Sequence, residues 1–438
     1  MKLVFAERNE RVRTGQSFLL IAALLLAACS RSGPIATPGE TRQPTRTPAA
    51  ILPPSPTPAP TEVVTQGTIS IWHAWDEPEL PVLDQILKDF GLMYPDVFFD
   101  VTYVPIESLL PRFETAVQEG GGPAILLGPA HWGPPLYDAG LLADLSNLAG
   151  ADLLRSLNQA GLGTAQYQDA LIGLPYTLQG VVLYRNRSII PEVPATFEDL
   201  VSLARSTTVG EVIGADLERS FFFSGAHLES IGGVLMQPDG APAFTGEKGL
   251  AWVRLLQSFE QAGATEFLSD RDLEEFSQGR VGFIIDGTWN RNALREAIGE
   301  DNIAIDPWPA YEDGRLSGYV QSDNLYLSSR ASGDTLLAAE KFIEFFLSPE
   351  AQLKLAEIER IPAARDVGVL DPLLAQAIAA LAGGTAYPSR PEMEFYPSRM
   401  DVALKSVFEQ GAPPAEALQS AMDDILAAMM GIQATPAP

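Results

Sequence analysis

An indole ring stands beside carboxylates or an amide at two places in the chain, Trp75-Asp76-Glu77 and Asp286-Gly287-Thr288-Trp289-Asn290. Each follows a short apolar run with the pattern of a β-strand, so each belongs at a strand end, where parallel sheets hold their ligands. A flat π face next to a hydrogen-bonding group suits a ligand with apolar faces and polar edges. The residues that other chemistries require are missing or scattered. Cys29 is the single cysteine, so no disulfide and no thiolate metal site can form beyond it. The three histidines, His73, His131 and His227, match no metal-ligand spacing. There is no Gly-x-Ser-x-Gly elbow and no His-Glu-x-x-His helix. Gly120-Gly121-Gly122 runs into a proline and lacks the lysine of a phosphate-binding loop, so it reads as a turn. No cofactor and no metal are expected.

The elements that would carry these residues follow from periodicity. Thr68 to Trp72 alternates like a strand, and Leu83, Ile86, Leu87 and Phe90 form the stripe of an amphipathic helix. After the turn Tyr94-Pro95-Asp96 a second strand spans Val97 to Tyr103. Strand, helix and strand in so short a span make a βαβ unit, which implies a parallel sheet covered by helices. Further short strands are expected at 124–127, 181–184 and 281–285. Helical stripes recur at Ala339, Phe342, Ile343 and Phe346, and at Leu418, Met422, Ile425 and Met429. The fold class is α/β.

The N-terminus reads as an export signal. Arg8, Arg11 and Arg13 precede an apolar run from Phe18 to Ala28, too short to span a bilayer as a helix. Leu26-Ala27-Ala28-Cys29 resembles the lipobox of bacterial lipoproteins. That likeness implies cleavage after residue 28, lipidation of Cys29 and tethering at the outer face of the cell membrane; the alternative is an ordinary signal peptide that contains a cysteine. Residues 29–66 are rich in Pro, Thr, Ala and Ser, and read as an extended spacer of roughly 3 Å per residue. Removing residues 1–28 deletes Lys2, Arg8, Arg11, Arg13, Glu7 and Glu10, and moves the formal charge from −27 to −29. Such an acidic excess repels phosphate backbones, so nucleic acid is not an expected partner.

From Gly67 onward, ordered segments are similar to an extracellular solute-binding protein of the carbohydrate class, the maltose-binding-protein type. They are Ile71-Trp72-His73-Ala74-Trp75-Asp76, Tyr94-Pro95-Asp96-Val97, Tyr137 to Leu145, Tyr167 to Tyr176, Leu183 to Asn186, Pro194 to Leu200, Phe276 to Phe283 with Asp286-Gly287-Thr288-Trp289, Ala339 to Ala351, and Arg360 to Ala363. The likeness covers nearly all of 67–430. Pro123-Ala124 departs from it, where the family usually has Pro-Asp. The resemblance implies two α/β lobes joined by hinge strands, with lobe one at 67–182 and 308–360, lobe two at 183–307 and 361–430, and a disordered tail at 431–438. It implies a monomer that captures a sugar or oligosaccharide between the lobes and delivers it to the permease subunits of an ABC transporter.

The resemblance also implies the site. A sugar has apolar ring faces and hydroxyl edges, so it calls for aromatic walls with carboxylates and amides. Trp75 would wall the pocket; Asp76 would accept from hydroxyls or cap the next helix, with Glu77 a further acceptor. His131 and Trp132 follow the strand at 124–127, Trp132 as a stacking wall or an interlobe structural residue. Tyr176 and Gln179 lie just before the hinge. Trp289 is the stacking platform of lobe two, with Asn290 beside it. Phe223 belongs to the Phe221-Phe222-Phe223 triple, one of which would reach the cleft. Asp323 sits in the polar run from Gln321 to Asn324, and Tyr396 in a late aromatic patch. Two rivals remain from other classes. A surface glycan-active enzyme would need two carboxyls flanking a sugar, and no local motif marks them. A ligand-sensing lipoprotein would keep the same fold.

Overall fold

The computed structural model describes residues 64–77 and 79–431. The signal-like segment, Cys29, nearly all of the spacer and residues 432–438 lie outside it. No helix among the described residues is long and apolar enough to cross a membrane.

The strand–helix–strand unit forms as the pattern requires. Strand Gly67–His73 pairs in parallel with Val97–Tyr103, from Gly67 opposite Val97 to His73 opposite Tyr103, and helix Leu80–Met93 crosses between them. That helix buries Leu83, Ile86, Leu87 and Phe90, the residues of its stripe. On its other side Gly67–His73 pairs in parallel with Ile125–Pro129. Strand Tyr319–Leu327 then returns antiparallel along Ile125–Pro129 and carries the sheet to Leu174–Asn186. Beyond it lie Val281–Gly287, Ile213–Glu218 and Ala264–Glu266, the last three mutually parallel.

Leu174–Asn186 joins the two halves. Up to Gly180 it pairs with Tyr319–Leu327; from Val181 it pairs with Val281–Gly287, and its end also pairs with Ile303–Asp306. Gly180 marks the change of partner, and a Cβ there would meet the Tyr319 carbonyl oxygen at 2.4 Å. The fold is two-lobed α/β, its sheet continuous through shared strands.

Two large cores pack the described residues. One gathers Ile69, Ile71, Phe90, Ile125, Leu325, Phe342 and Phe346; the other gathers Leu183, Leu217, Phe221, Trp252, Phe259, Phe283 and Ile425. The first also takes in Tyr184, Ile284 and Ile305 from the second half of the sheet. Helix Gly333–Phe346 buries Ala339, Phe342, Ile343 and Phe346, matching its stripe. In helix Pro414–Met429, Leu418 and Ile425 are buried, while Met422 and Met429 pack from the margin. The expected division placed 361–430 in lobe two. Ile361 and Pro362 pair with Leu178 and Thr177 in the first-lobe half, because Gln352 holds Ala363 and Ala364 by their N–H groups. Helix Pro372–Ala382 packs on Ile303–Asp306 of the second half, where Gln376 accepts the Ile305 N–H at 2.9 Å.

Candidate functional site

Strand Val281–Gly287 is buried along its whole length and delivers the turn Thr288–Asn290 at its carboxyl end. Trp289, on that turn, is 47% exposed. Gly287 makes the geometry possible, since a Cβ there would lie 2.0 Å from the Trp289 ring. The turn is clamped to the central strand: Tyr184 donates its hydroxyl to the Gly287 carbonyl at 2.9 Å, and the Gly180 N–H donates to Thr288 Oγ1 at 3.1 Å.

The platform extends through neighbouring rings. Phe222 and Phe223, at the start of helix Phe221–Ser230, lie 6.0 and 6.4 Å from Trp289 between ring centroids. Tyr387 continues the row, 5.7 Å from Phe222. Phe221 is buried in the core, so the triple divides as its helical turn requires, one ring inward and two at the margin.

A cavity of about 200 Å³ opens beside Trp289, with Gln179, Asp323, Arg291, Glu359 and Arg360 on its walls. Gln179 is the single exposed residue of the central strand, which is otherwise buried on both faces. Its cross-strand partner is Gln321, half-buried on the same face. Arg360 organises the first-lobe wall. Its Nε donates to Glu79 Oε1 at 2.5 Å and its Nη1 to Asp323 Oδ2 at 3.4 Å. Burial pushes the Asp323 carboxyl above its ordinary range, and Arg360 pulls it back. From the second lobe Arg291 donates to the Glu359 carbonyl at 3.0 Å and to its carboxylate at 2.6 Å. Arg291 is buried, and Glu359 adopts a left-handed φ of 65° to meet it.

The expected site residues divide by position. Trp289, Gln179 and Asp323 converge on the cavity, Phe223 stands beside Trp289, and Asn290 lies on the same turn, donating to both oxygens of Asp286. Asp76 and Glu77 are exposed at the end of the first strand. His131 is exposed and close enough to Asp323 to act on its charge. Four aromatics turn inward. Trp75 is 3% exposed, donates its indole N–H to the Tyr176 hydroxyl at 3.1 Å, and lies under Arg360. Tyr176 is sealed in the same core, its phenol pushed upward by burial. Trp132 packs on the backbone of Gly128, where a Cβ would meet its ring at 2.4 Å. Tyr396 is buried in the second core and donates to the Gly240 carbonyl at 2.7 Å. Glu79, Tyr387, Arg291 and the role of Arg360 escape sequence reasoning, because each is defined by a partner distant in the chain.

The family profile described as bacterial extracellular solute-binding protein matches residues 85–381. A maltotriose-binding protein of Pyrococcus abyssi is 23% identical over 315 residues, 69% of this chain and 67% of the relative. A maltooligosaccharide ABC transporter solute-binding lipoprotein of Streptococcus pneumoniae is 23% identical over 267 residues, 56% of this chain and 61% of the relative. The match thus spans about two thirds of the length of these curated relatives or less. Among solved structures, an extracellular solute-binding protein from Staphylococcus aureus in complex with maltose superposes with a TM-score of 0.74 at 19% identity. It covers 84% of this chain and 98% of its own.

Proposed function

The chain belongs to the bacterial extracellular solute-binding proteins, and on that premise we propose that it captures a malto-oligosaccharide or related sugar between its lobes. The observation that carries this reading is the half-exposed Trp289, flanked by Phe222 and Phe223 and facing a cavity walled by Gln179, Asp323 and Arg360. An indole face takes the C–H surface of a pyranose, and amides, carboxylates and guanidinium groups exchange hydrogen bonds with its hydroxyls. The cleft lies where strands pass from one lobe to the other, so a ligand touching both halves favours their approach by hinge motion.

The role is carriage rather than catalysis. A glycoside hydrolase keeps one carboxyl free as acid and another as base or nucleophile. Here Glu79 and Asp323 are both bound to Arg360. The names of the archaeal and streptococcal relatives, both binding proteins, favour the same reading. Captured sugar passes to the permease subunits of an ABC importer, and Cys29 carries a lipid that keeps the monomeric binder near them.

A ligand panel read by thermal unfolding tests the capture. A ligand that binds only the folded state raises stability by about 2.7 kcal/mol at a hundredfold excess over its dissociation constant. Maltose, maltotriose and maltotetraose should raise the midpoint, and a polyamine should not. A shift with the polyamine alone refutes the sugar reading. Release of reducing ends during incubation refutes the carrier reading in favour of an enzyme. Mass spectrometry of the mature N-terminal peptide tests the lipid on Cys29.

A further inference from the structure

We propose that Asp286 is a positioning residue for the Trp289 platform: its buried carboxylate holds the turn Gly287–Asn290 in the shape that presents the indole to ligand. The inference rests on the sugar-capture reading for its consequence in binding, and on the geometry of the turn for the rest.

Asp286 is 3% exposed, one residue before the strand ends. Its carboxylate accepts the N–H of Gly287 through Oδ1, and the Asn290 amide donates to both oxygens at 3.3 Å. The start of the turn is also held by Tyr184 and Gly180. Its far end, Asn290, is tied back through Asp286. Trp289 lies between these two anchors, its ring folded over Gly287.

The charge around Asp286 makes this retention informative. Asp270 and Asp272 lie near it at the start of helix Arg271–Ser277, and Asp216 and Glu218 on the neighbouring strand lie near Asp272 in turn. Tyr184 approaches from the central strand. The nearby cations are engaged elsewhere: Arg271 pairs with Asp216 and Glu266, and Arg291 with Glu359. No ion pair among the described residues reaches Asp286. A buried carboxylate without a cation costs stability, and hydrogen bonds to its charged form are the strong ones. What Asp286 returns is the fixed turn. Burial, reinforced by Asp270, pushes its carboxyl up to about 6, against the pull of Gly287 and Asn290. Acidification through that range protonates the carboxylate and weakens its grip on Asn290.

Two readouts should then move in opposite directions. The folded value lies above the unfolded one, so protonation of Asp286 adds stability as the pH falls. Sugar affinity should fall over the same range. A role in stability alone would leave sugar affinity unchanged over that range.

The test uses wild type and Asp286→Asn, titrated with maltotriose between pH 7.5 and 5.0. The wild type should lose affinity several-fold on acidification, and Asp286→Asn, which keeps an acceptor but cannot titrate there, should show a flat profile. Trp289 emission, taken as wild type minus Trp289→Phe without ligand, should change across the same pH range in the Asp286 protein and not in Asp286→Asn. Equal pH profiles for the two proteins, or Trp289 emission indifferent to pH, would overturn the inference. If the wild type takes no maltotriose, the sugar reading fails, and the ligand-free emission alone decides the positioning role.

Discussion

Arg360 lies over the ring of Trp75, its guanidinium carbon 5.0 Å from the ring centroid, while its nitrogens reach Glu79 and Asp323. The contact assigns the two strand-end tryptophans different work. Trp75 is the floor beneath a polar wall; Trp289 is the open platform opposite.

Substitution should separate the two. Trp289→Ala removes an exposed face, so it should leave the unfolding midpoint nearly unchanged and weaken sugar binding by about 1–3 kcal/mol. Trp75→Ala empties a buried site and should cost about 3–5 kcal/mol of stability. Urea unfolding beside calorimetry checks both. Equal losses of affinity with no loss of stability would contradict the assignment.

The buried pair Arg185–Asp306 should be costly to break. Its oxygens meet Arg185 Nε at 2.6 Å and Nη2 at 3.0 Å, and both side chains are almost fully buried. Asp306→Asn leaves the guanidinium without its counter-charge at the end of the central strand, and should destabilise by about 3–5 kcal/mol. Denaturant titration measures it, and a loss below about 1 kcal/mol would mean that water reaches Arg185.

Asp272 should make the protein less stable as the pH rises. Burial, with the nearby Asp286, Glu218 and Asp216, pushes its carboxyl up to about 8. Asp216 is pushed to about 6, again chiefly by burial. Folded values above the unfolded one mean that the folded state holds more protons, so stability falls between about pH 4 and 8. Asp272→Asn should flatten that slope and add on the order of 2 kcal/mol at pH 8. A mutant slope as steep as the wild type's would place the titration elsewhere.

The interlobe bond Arg291–Glu359 should contribute measurably despite the partial exposure of the glutamate. Glu359→Gln keeps the carbonyl contact but removes the charge facing a buried guanidinium. The expected loss is about 1–2 kcal/mol. Thermal unfolding at low and high salt should show the difference shrinking as salt rises.

What the sequence disclosed follows from how local each feature is. The exposed turn that carries Trp289 was legible because a uniformly apolar strand ends in Asp-Gly-Thr-Trp, a signal contained in a few residues. The helical stripes at 83–90 and 339–346 were legible for the same reason. The first half of the central strand, Leu174 to Gly180, escaped because burial on both faces erases alternation and Pro175 argues against a strand. Trp75 and Tyr176 read as cleft walls, since an aromatic near a strand end looks the same whether solvent or Arg360 covers it. Glu79, Arg360 and Tyr387 acquire meaning only from partners brought near by the fold.

Calorimetric titration of maltotriose into wild type and Trp289→Ala, side by side, tests the central claim most directly. Capture on the Trp289 platform predicts saturable one-to-one binding by the wild type and roughly ten- to a hundredfold weaker binding by the variant, the equivalent of about 1–3 kcal/mol. Identical isotherms for the two proteins, or no heat from the wild type at any concentration, would contradict it.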